Sequence, residues 1–454
     1  MVATALGSHT DVRTDRMDGR MRLVLLVLLV AQFMLAVDFS ILNVALPVIG
    51  EGLGFTLGNL QWIATAFALA AAGFTLLLGR VADIVGRRRL FLAGMALLGA
   101  SSLVGGLATN PGMLMAARVA QGLATAAVTP AGLALLTSSF PEGPLRAKAL
   151  GLNGALMSAG FTTGAVLGGV LTDLLSWRWA FFVNVPVALA VLLVAPAVLK
   201  ESRPAVRPRL DIPGAITVTG GLLALVLGLT TEPLAIPLGV ALLVAFWFVE
   251  RRAASPLVPV RILTRRTVVL GNLAGLVAFV TETSLVFLMT LYLQDVLGFS
   301  PLAAGLSFGV LGAGTVLGGV YASRFIGRYG ARAALVAGGL VQAAATLSLY
   351  ALGDDGSLLW LLLAGTFVGG VGNMLAIVGF MVTATSGLPD SEQGMATGLA
   401  TMTQQIGITM GTPIMSAVVL TSTTVLDGIG LAVLVNAAIV LAGALATSLF
   451  LRRS

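Results

Sequence analysis

The stretch Gly79-Arg80-Val81-Ala82-Asp83-Ile84-Val85-Gly86-Arg87-Arg88-Arg89-Leu90-Phe91 decides how the chain is read. Long apolar runs flank it on both sides. A short loop carrying Arg80, Asp83, Arg87, Arg88 and Arg89 cannot lie in hydrocarbon, where unpaired charge is strongly disfavoured. It must emerge at a membrane face. Gly79 and Gly86 permit a tight turn and a close helix approach. Taken alone, the loop is also compatible with a generic positive anchor.

Composition agrees with a membrane setting. The 454 residues are 57% hydrophobic and 10% charged, with mean hydropathy +1.01. Soluble domains carry roughly 25% charge, so the chain reads as an integral membrane protein. There is no cysteine, hence no disulfide and no thiolate metal site. The single histidine, His9, lies in the polar N-terminal tail, which excludes a histidine-based metal or catalytic centre within the membrane. A net charge of +7 could suggest nucleic acid, but the positive residues are spread over short loops.

Runs of about 20 apolar residues number fourteen. If the N-terminus lies inside, 24 of the 26 basic residues fall in inner tails and loops, leaving Arg178 outside and Arg118 within a span. Both termini are therefore expected in the cytoplasm. Shifting the opening motif by 244 residues places Arg80 on Arg324, Gly86 on Gly330 and Arg88 on Arg332, with Gly327 in place of Asp83. The spacing predicts a tail at 1–21 and a six-helix half at 22–199. A linker with two inserted helices follows at 200–266, then a second half at 267–450 and a tail at 451–454.

The pattern G-x-x-x-D-x-x-G-R-R-R resembles the loop after the second span in the major facilitator superfamily. More of the chain resembles one subgroup, the fourteen-span drug:proton antiporters of multidrug and antibiotic efflux. The relevant stretches are Asp38-Phe-Ser-Ile-Leu-Asn-Val-Ala-Leu-Pro, Arg118-Val-Ala-Gln-Gly, Trp177-Arg-Trp-Ala-Phe-Phe-Val-Asn-Val-Pro, Asp211-Ile-Pro-Gly and Tyr292-Leu-Gln-Asp-Val-Leu-Gly-Phe-Ser-Pro. The resemblance covers nearly all of the chain after residue 20. It implies an all-α integral membrane protein of the major facilitator fold, with two six-helix halves and two inserted helices, 14 transmembrane helices in all. It further implies a gating latch built from Gly79, Arg80, Asp83, Gly86, Arg87 and Arg88, and a bacterial cytoplasmic-membrane location. The expected partners are a small-molecule substrate, protons and membrane lipid, with no nucleic acid. The chain is expected to act as a monomer, with no cofactor and no metal, driven by the proton gradient.

Three ionisable side chains lie well inside spans: Asp38, Arg118 and Glu282. Residues of this kind are functional candidates by default. Asp38 and Glu282 differ by 244, so without an intervening gap they would occupy matching sites in the two halves. A cavity-facing carboxyl group can take a proton on one side of the membrane and release it on the other. Loss of water favours its protonated form and a bound cation its ionised form. Asp38, Arg118 and Glu282 are therefore candidates for proton coupling. The alternatives are a helix-end carboxylate for Asp38, an inter-helix ion pair for Arg118 and a buried polar contact for Glu282. Arg118 starts a stripe with Gln121, Thr125 and Thr129 on one helical face. Gln121, Thr125, Asn153, Glu282, Gln404 and Gln405 are expected to line a substrate cavity. Phe33, Phe67, Phe74, Phe161, Phe279 and Phe287 are possible apolar lining. Gly160, Gly164 and Gly168 form a small-xxx-small series for helix packing.

No phosphate-binding G-x-x-x-x-G-K-[ST] loop is present, and no inner loop could hold a nucleotide-binding domain. A membrane enzyme would need a cluster of His, Cys or paired carboxylates, and the chain has none. The functional reading is proton-driven export of amphipathic drugs or antibiotics by alternating access. A dedicated exporter of one endogenous metabolite or self-made antibiotic stays open.

Overall fold

The computed structural model describes residues 17–140, 144–202, 211–230, 232–253, 256–257, 260–387 and 390–451. His9, Arg13, Arg16, Arg203, Arg207, Arg209, Arg452 and Arg453 lie outside them. All regular structure among the described residues is helical.

Fourteen of these helices have fifteen or more residues. They are α1 (Gly19–Leu53), α2 (Trp62–Val85), α3 (Arg87–Gly106), α4 (Pro111–Ser139), α5 (Pro144–Leu174), α6 (Asn184–Val198) and α7 (Ile212–Thr230). The rest are α8 (Ala235–Arg252), α9 (Arg266–Leu291), α10 (Pro301–Tyr329), α11 (Ala331–Ser348), α12 (Leu359–Thr385), α13 (Asp390–Val419) and α14 (Val425–Phe450). By length and composition alone, ten stretches among the described residues are long and apolar enough to cross a membrane. Polar caps mark the loop ends. Asp18 accepts from the Met21 amide, Asn110 from Met113 and Ser300 from Ala303, and Pro111 and Pro301 follow two of these caps.

The packing repeats. In the first half α1 lies on α4, α5 and α6, α2 on α4, and α3 on α4 and α6. In the second half α9 lies on α12, α13 and α14, α10 on α12, and α11 on α12 and α14. The halves meet where α2 touches α13 and α5 touches α10, two contacts exchanged by the same correspondence. The inserted pair α7–α8 packs on itself, and α7 rests against α2 and α13.

Glycines allow these approaches. A methyl group on Gly164 would stand 2.1 Å from Ser40 Oγ and 2.7 Å from the Val37 carbonyl. Gly160 and Gly168 face the Phe33 and Ile41 carbonyls on the same helix, so the whole series seats α5 on α1.

These contacts also fix the register of the repeat. Gly164 meets Val37 and Ser40, whereas Gly411 meets Val280 and Thr283, an offset of 243 along the first helix of each half. Gly122 on Phe67 and Gly370 on Leu311 give 244 along the second. A one-residue gap therefore separates them. Asp38 corresponds to Thr281 and Phe39 to Glu282. The expectation that Asp38 and Glu282 occupy matching sites is corrected accordingly.

Candidate functional site

Asp38 is fully buried inside the first half. It accepts from Gln121 Nε2 at 2.9 Å, from Arg118 Nη1 at 3.4 Å and from Asn184 Nδ2. Ser102 Oγ accepts from the Gln121 and Asn184 amides at 2.8 and 3.1 Å. Arg118, 1% exposed, also donates to Gln121 Oε1 at 2.8 Å and to the Ile63 carbonyl at 3.0 Å. Its guanidinium lies 4.3 Å from the centre of the Phe67 ring. Four helices, α1, α3, α4 and α6, thus bring one carboxylate and one guanidinium together with neutral partners. Each charge is paired and hydrogen-bonded, the condition under which buried charge persists.

The corresponding helices of the second half enclose a neutral cluster. Gln342 donates to Thr281 Oγ1 at 3.0 Å and Asn436 to the Thr281 carbonyl at 3.0 Å. Asn184 corresponds to Asn436, as Pro196 does to Ser448: Arg88 donates to the Pro196 carbonyl and Arg332 to that of Ser448. The two halves share a polar framework, and the first carries the charges.

Between the halves lies a cavity of about 470 Å³. Thr125, Asn153, Glu282, Gln404 and Gln405 line it. Gln121 does not. It points into the Asp38 cluster, because the i to i+3 step from Arg118 keeps both on the face turned toward α1 and α3. Thr125 and Thr129, further along α4, reach the cavity. Of the aromatic residues read from the sequence, Phe67, Phe161 and Phe279 are in the wall, whereas Phe33, Phe74 and Phe287 are not. Phe39 and Phe308 are, and the sequence reading missed them. Phe39 follows Asp38 about 100° further round the same helix, which was the available signal. Glu282 has no hydrogen bond or ion pair among the described residues. Asp38 and Arg118 are absent from the wall, with Phe39 and Phe67 standing between them and the cavity.

The cavity faces the side of the molecule that bears the 79–91 loop. Its wall reaches Leu133, Asn153, Met381 and Thr385, close to that end of α4, α5 and α12. On the other side the halves are joined. Gln294 Nε2 donates to the Val44 carbonyl at 3.0 Å, and Gly169 and Gly305 seat α5 on α10.

The 79–91 stretch, expected as a loop, is helical on both sides of Gly86, with 79–85 ending α2 and 87–91 opening α3, and it is tied to Glu201 and Ser202 just beyond α6. Arg87 Nε donates to Asp83 Oδ1 at 3.0 Å, and Gly86 turns the chain with φ 123°. The Arg87 amide donates to the Ser202 carbonyl at 3.3 Å and the Arg88 amide to Glu201 Oε1 at 3.1 Å. A side chain on Gly86 would meet the Glu201 carboxylate at 2.7 Å. Glu201 was not singled out from sequence. An acidic residue at the end of the sixth run, among basic inner loops, was its signal.

Residues 28–412 match the family model described as Major Facilitator Superfamily. Relatives include the cephamycin export protein CmcT of Amycolatopsis lactamdurans, 37% identical over 86% of this chain and 83% of that protein. The puromycin resistance protein pur8 of Streptomyces alboniger is 37% identical over 87% of this chain and 81% of its own length. Among solved structures, the human organic anion transporter MFSD10 (TETRAN) superposes with TM-score 0.66 at 19% identity, covering 95% of this chain and 100% of that one. That likeness concerns the fold.

Proposed function

Because the chain belongs to the Major Facilitator Superfamily and is a multi-pass membrane transporter rather than an enzyme, we propose that it exports amphipathic antibiotics or drugs in exchange for protons. The helices cross the bacterial cytoplasmic membrane fourteen times, with the 79–91 loop and both termini in the cytoplasm. The cavity then opens inward, where it can collect a compound from the cytoplasm or inner leaflet. Rocking of the two halves about the α2–α13 and α5–α10 contacts exposes it to the outside.

One observation carries this reading: a buried Asp38–Arg118 pair sits one aromatic layer away from an apolar cavity that holds the unpaired carboxyl group of Glu282. Arg118 stays charged and acts as a field source. Asp38 takes the proton when its hold on Arg118 loosens, and Glu282 meets the charge of the substrate. The Asp83–Arg87 loop, clasped by Glu201, controls the inner gate.

The test is accumulation of puromycin in inverted membrane vesicles energised by a proton gradient. Collapse of the gradient with a protonophore should abolish accumulation. Unchanged accumulation would sink the coupling. A second reading, export of a single self-made compound, is favoured by relatives named for single antibiotics. Resistance to one compound alone across a structurally varied panel would select it.

A further inference from the structure

The wall between the cavity and the Asp38–Arg118 pair is one side chain thick at Phe67. Phe67 belongs to the cavity wall although its side chain is only 1% exposed, and the Arg118 guanidinium lies 4.3 Å from its ring centroid. Phe39 leans on the same ring with centroids 5.8 Å apart and on Phe161 at 5.4 Å, so the three aromatic rings form a continuous layer. The backbone around Phe67 is tied as well. Arg118 Nε donates to the Ile63 carbonyl, one turn earlier on α2. Gly122 lets α4 rest on Phe67, because a methyl group there would stand 2.2 Å from the Phe67 carbonyl. The next carbonyl, that of Ala68, accepts from Thr409 Oγ1 of α13 at 2.8 Å. Helix α13 also carries Gln404 and Gln405 into the cavity. Residues 63–68 of α2 therefore touch the ion pair, the cavity and the opposite half at once.

We propose that Phe67 is the positioning residue through which a bound substrate controls the Asp38–Arg118 ion pair. A compound seated against the half-buried Phe39 and Phe161 presses through Phe39 on the Phe67 ring beneath and so displaces the guanidinium that lies over it. The displacement releases Asp38 from Arg118 or restores the pair, which sets whether Asp38 can hold a proton. The inference rests on the proton-exchange reading of Asp38. The charged groups concerned are few. Asp38 and Arg118 face each other, and Ser102, Gln121 and Asn184, which complete the shell from α3, α4 and α6, are neutral. Glu282 lies on the cavity wall, on α9 of the other half.

The test is equilibrium binding of tetraphenylphosphonium, a permanently charged amphipathic cation that does not itself titrate. It is measured on the purified full chain across the neutral pH range. Four proteins are compared: wild type, Asp38→Asn, Phe67→Leu and Phe67→Tyr. Wild-type affinity should change with pH by up to about tenfold per unit, the limit for one exchanged proton. Phe67→Leu keeps an apolar side chain of similar bulk but loses the π face that holds the guanidinium. Its pH profile should superpose on that of Asp38→Asn. Phe67→Tyr keeps the π face and should recover the wild-type slope, a rescue that a merely structural role does not predict. A wild-type slope in Phe67→Leu beside a flattened Asp38→Asn overturns the role of Phe67. A wild-type slope in Asp38→Asn instead overturns the proton-exchange reading beneath it.

Discussion

Removing the charge at position 38 should destabilise the folded protein, and removing its partner as well should undo most of the damage. Three donors, from Arg118, Gln121 and Asn184, converge on the two carboxylate oxygens of Asp38. Asp38→Asn leaves one oxygen and turns an amide group toward a donor. The Arg118 guanidinium, 1% exposed, then keeps the Ile63 carbonyl and Gln121 Oε1 but loses its counter-charge. Breaking a buried pair from one side costs about 3–5 kcal/mol. The retained oxygen places Asp38→Asn near the low end, about 3 kcal/mol. For a chain of this length, each kcal/mol shifts the melting temperature by roughly 1–2 °C, scaling from smaller domains. Asp38→Asn should therefore melt about 3–6 °C below wild type. Arg118→Gln added to it removes the stranded charge and should recover most of the loss. Intrinsic fluorescence of the five tryptophans can follow unfolding of the purified protein. A thiol-reactive dye cannot, because the chain has no cysteine. An Asp38→Asn protein as stable as wild type, or a double variant less stable than the single one, would refute the reasoning.

Gly164→Ala should cost about 1–3 kcal/mol, since its new methyl group would press on Ser40 Oγ at 2.1 Å and on the Val37 backbone. Gly309→Ala, whose nearest neighbour would be Val166 at 3.8 Å, should be near neutral, and equal melting temperatures for the two would contradict the packing account. Asp83→Asn removes the 3.0 Å contact with Arg87, which is partly exposed and worth under about 1 kcal/mol of stability. It should nonetheless slow transport by about tenfold with equilibrium drug affinity nearly intact, so a large affinity loss with normal turnover would assign the loop to binding.

Much of the architecture was legible because hydrocarbon imposes it. Long apolar runs separated by basic loops are what helices in a membrane require, and the echo of 79–91 at 323–335 announced two related halves. The side-chain register was not legible. A single-residue gap between α1 and α2, relative to α9 and α10, turns the residue matching Asp38 into Thr281 and places Glu282 where Phe39 stands. The equal spacing of 244 concealed that gap, and only the glycine contacts of α5 and α13 exposed it. Arg118, Gln121, Thr125 and Thr129 share a helical stripe, yet the packing of α4 sends the first two into the first-half core and the last two to the cavity. Periodicity names a face but not which neighbour it meets. Ser102 and Glu201 were not singled out, and Asn184 stood in the 177–186 stretch without a role, for the same reason: each matters through contacts distant in sequence.

The central claim is that substrate and proton exchange through Asp38, with Glu282 reading substrate charge. It is tested most directly by measuring protons released into weakly buffered solution when tetraphenylphosphonium saturates the purified protein. Wild type and Glu282→Gln should release protons, the latter at higher ligand concentration, whereas Asp38→Asn should release none. Release from Asp38→Asn together with silence from Glu282→Gln would exchange the two roles, and release from both variants in wild-type amount would contradict the claim.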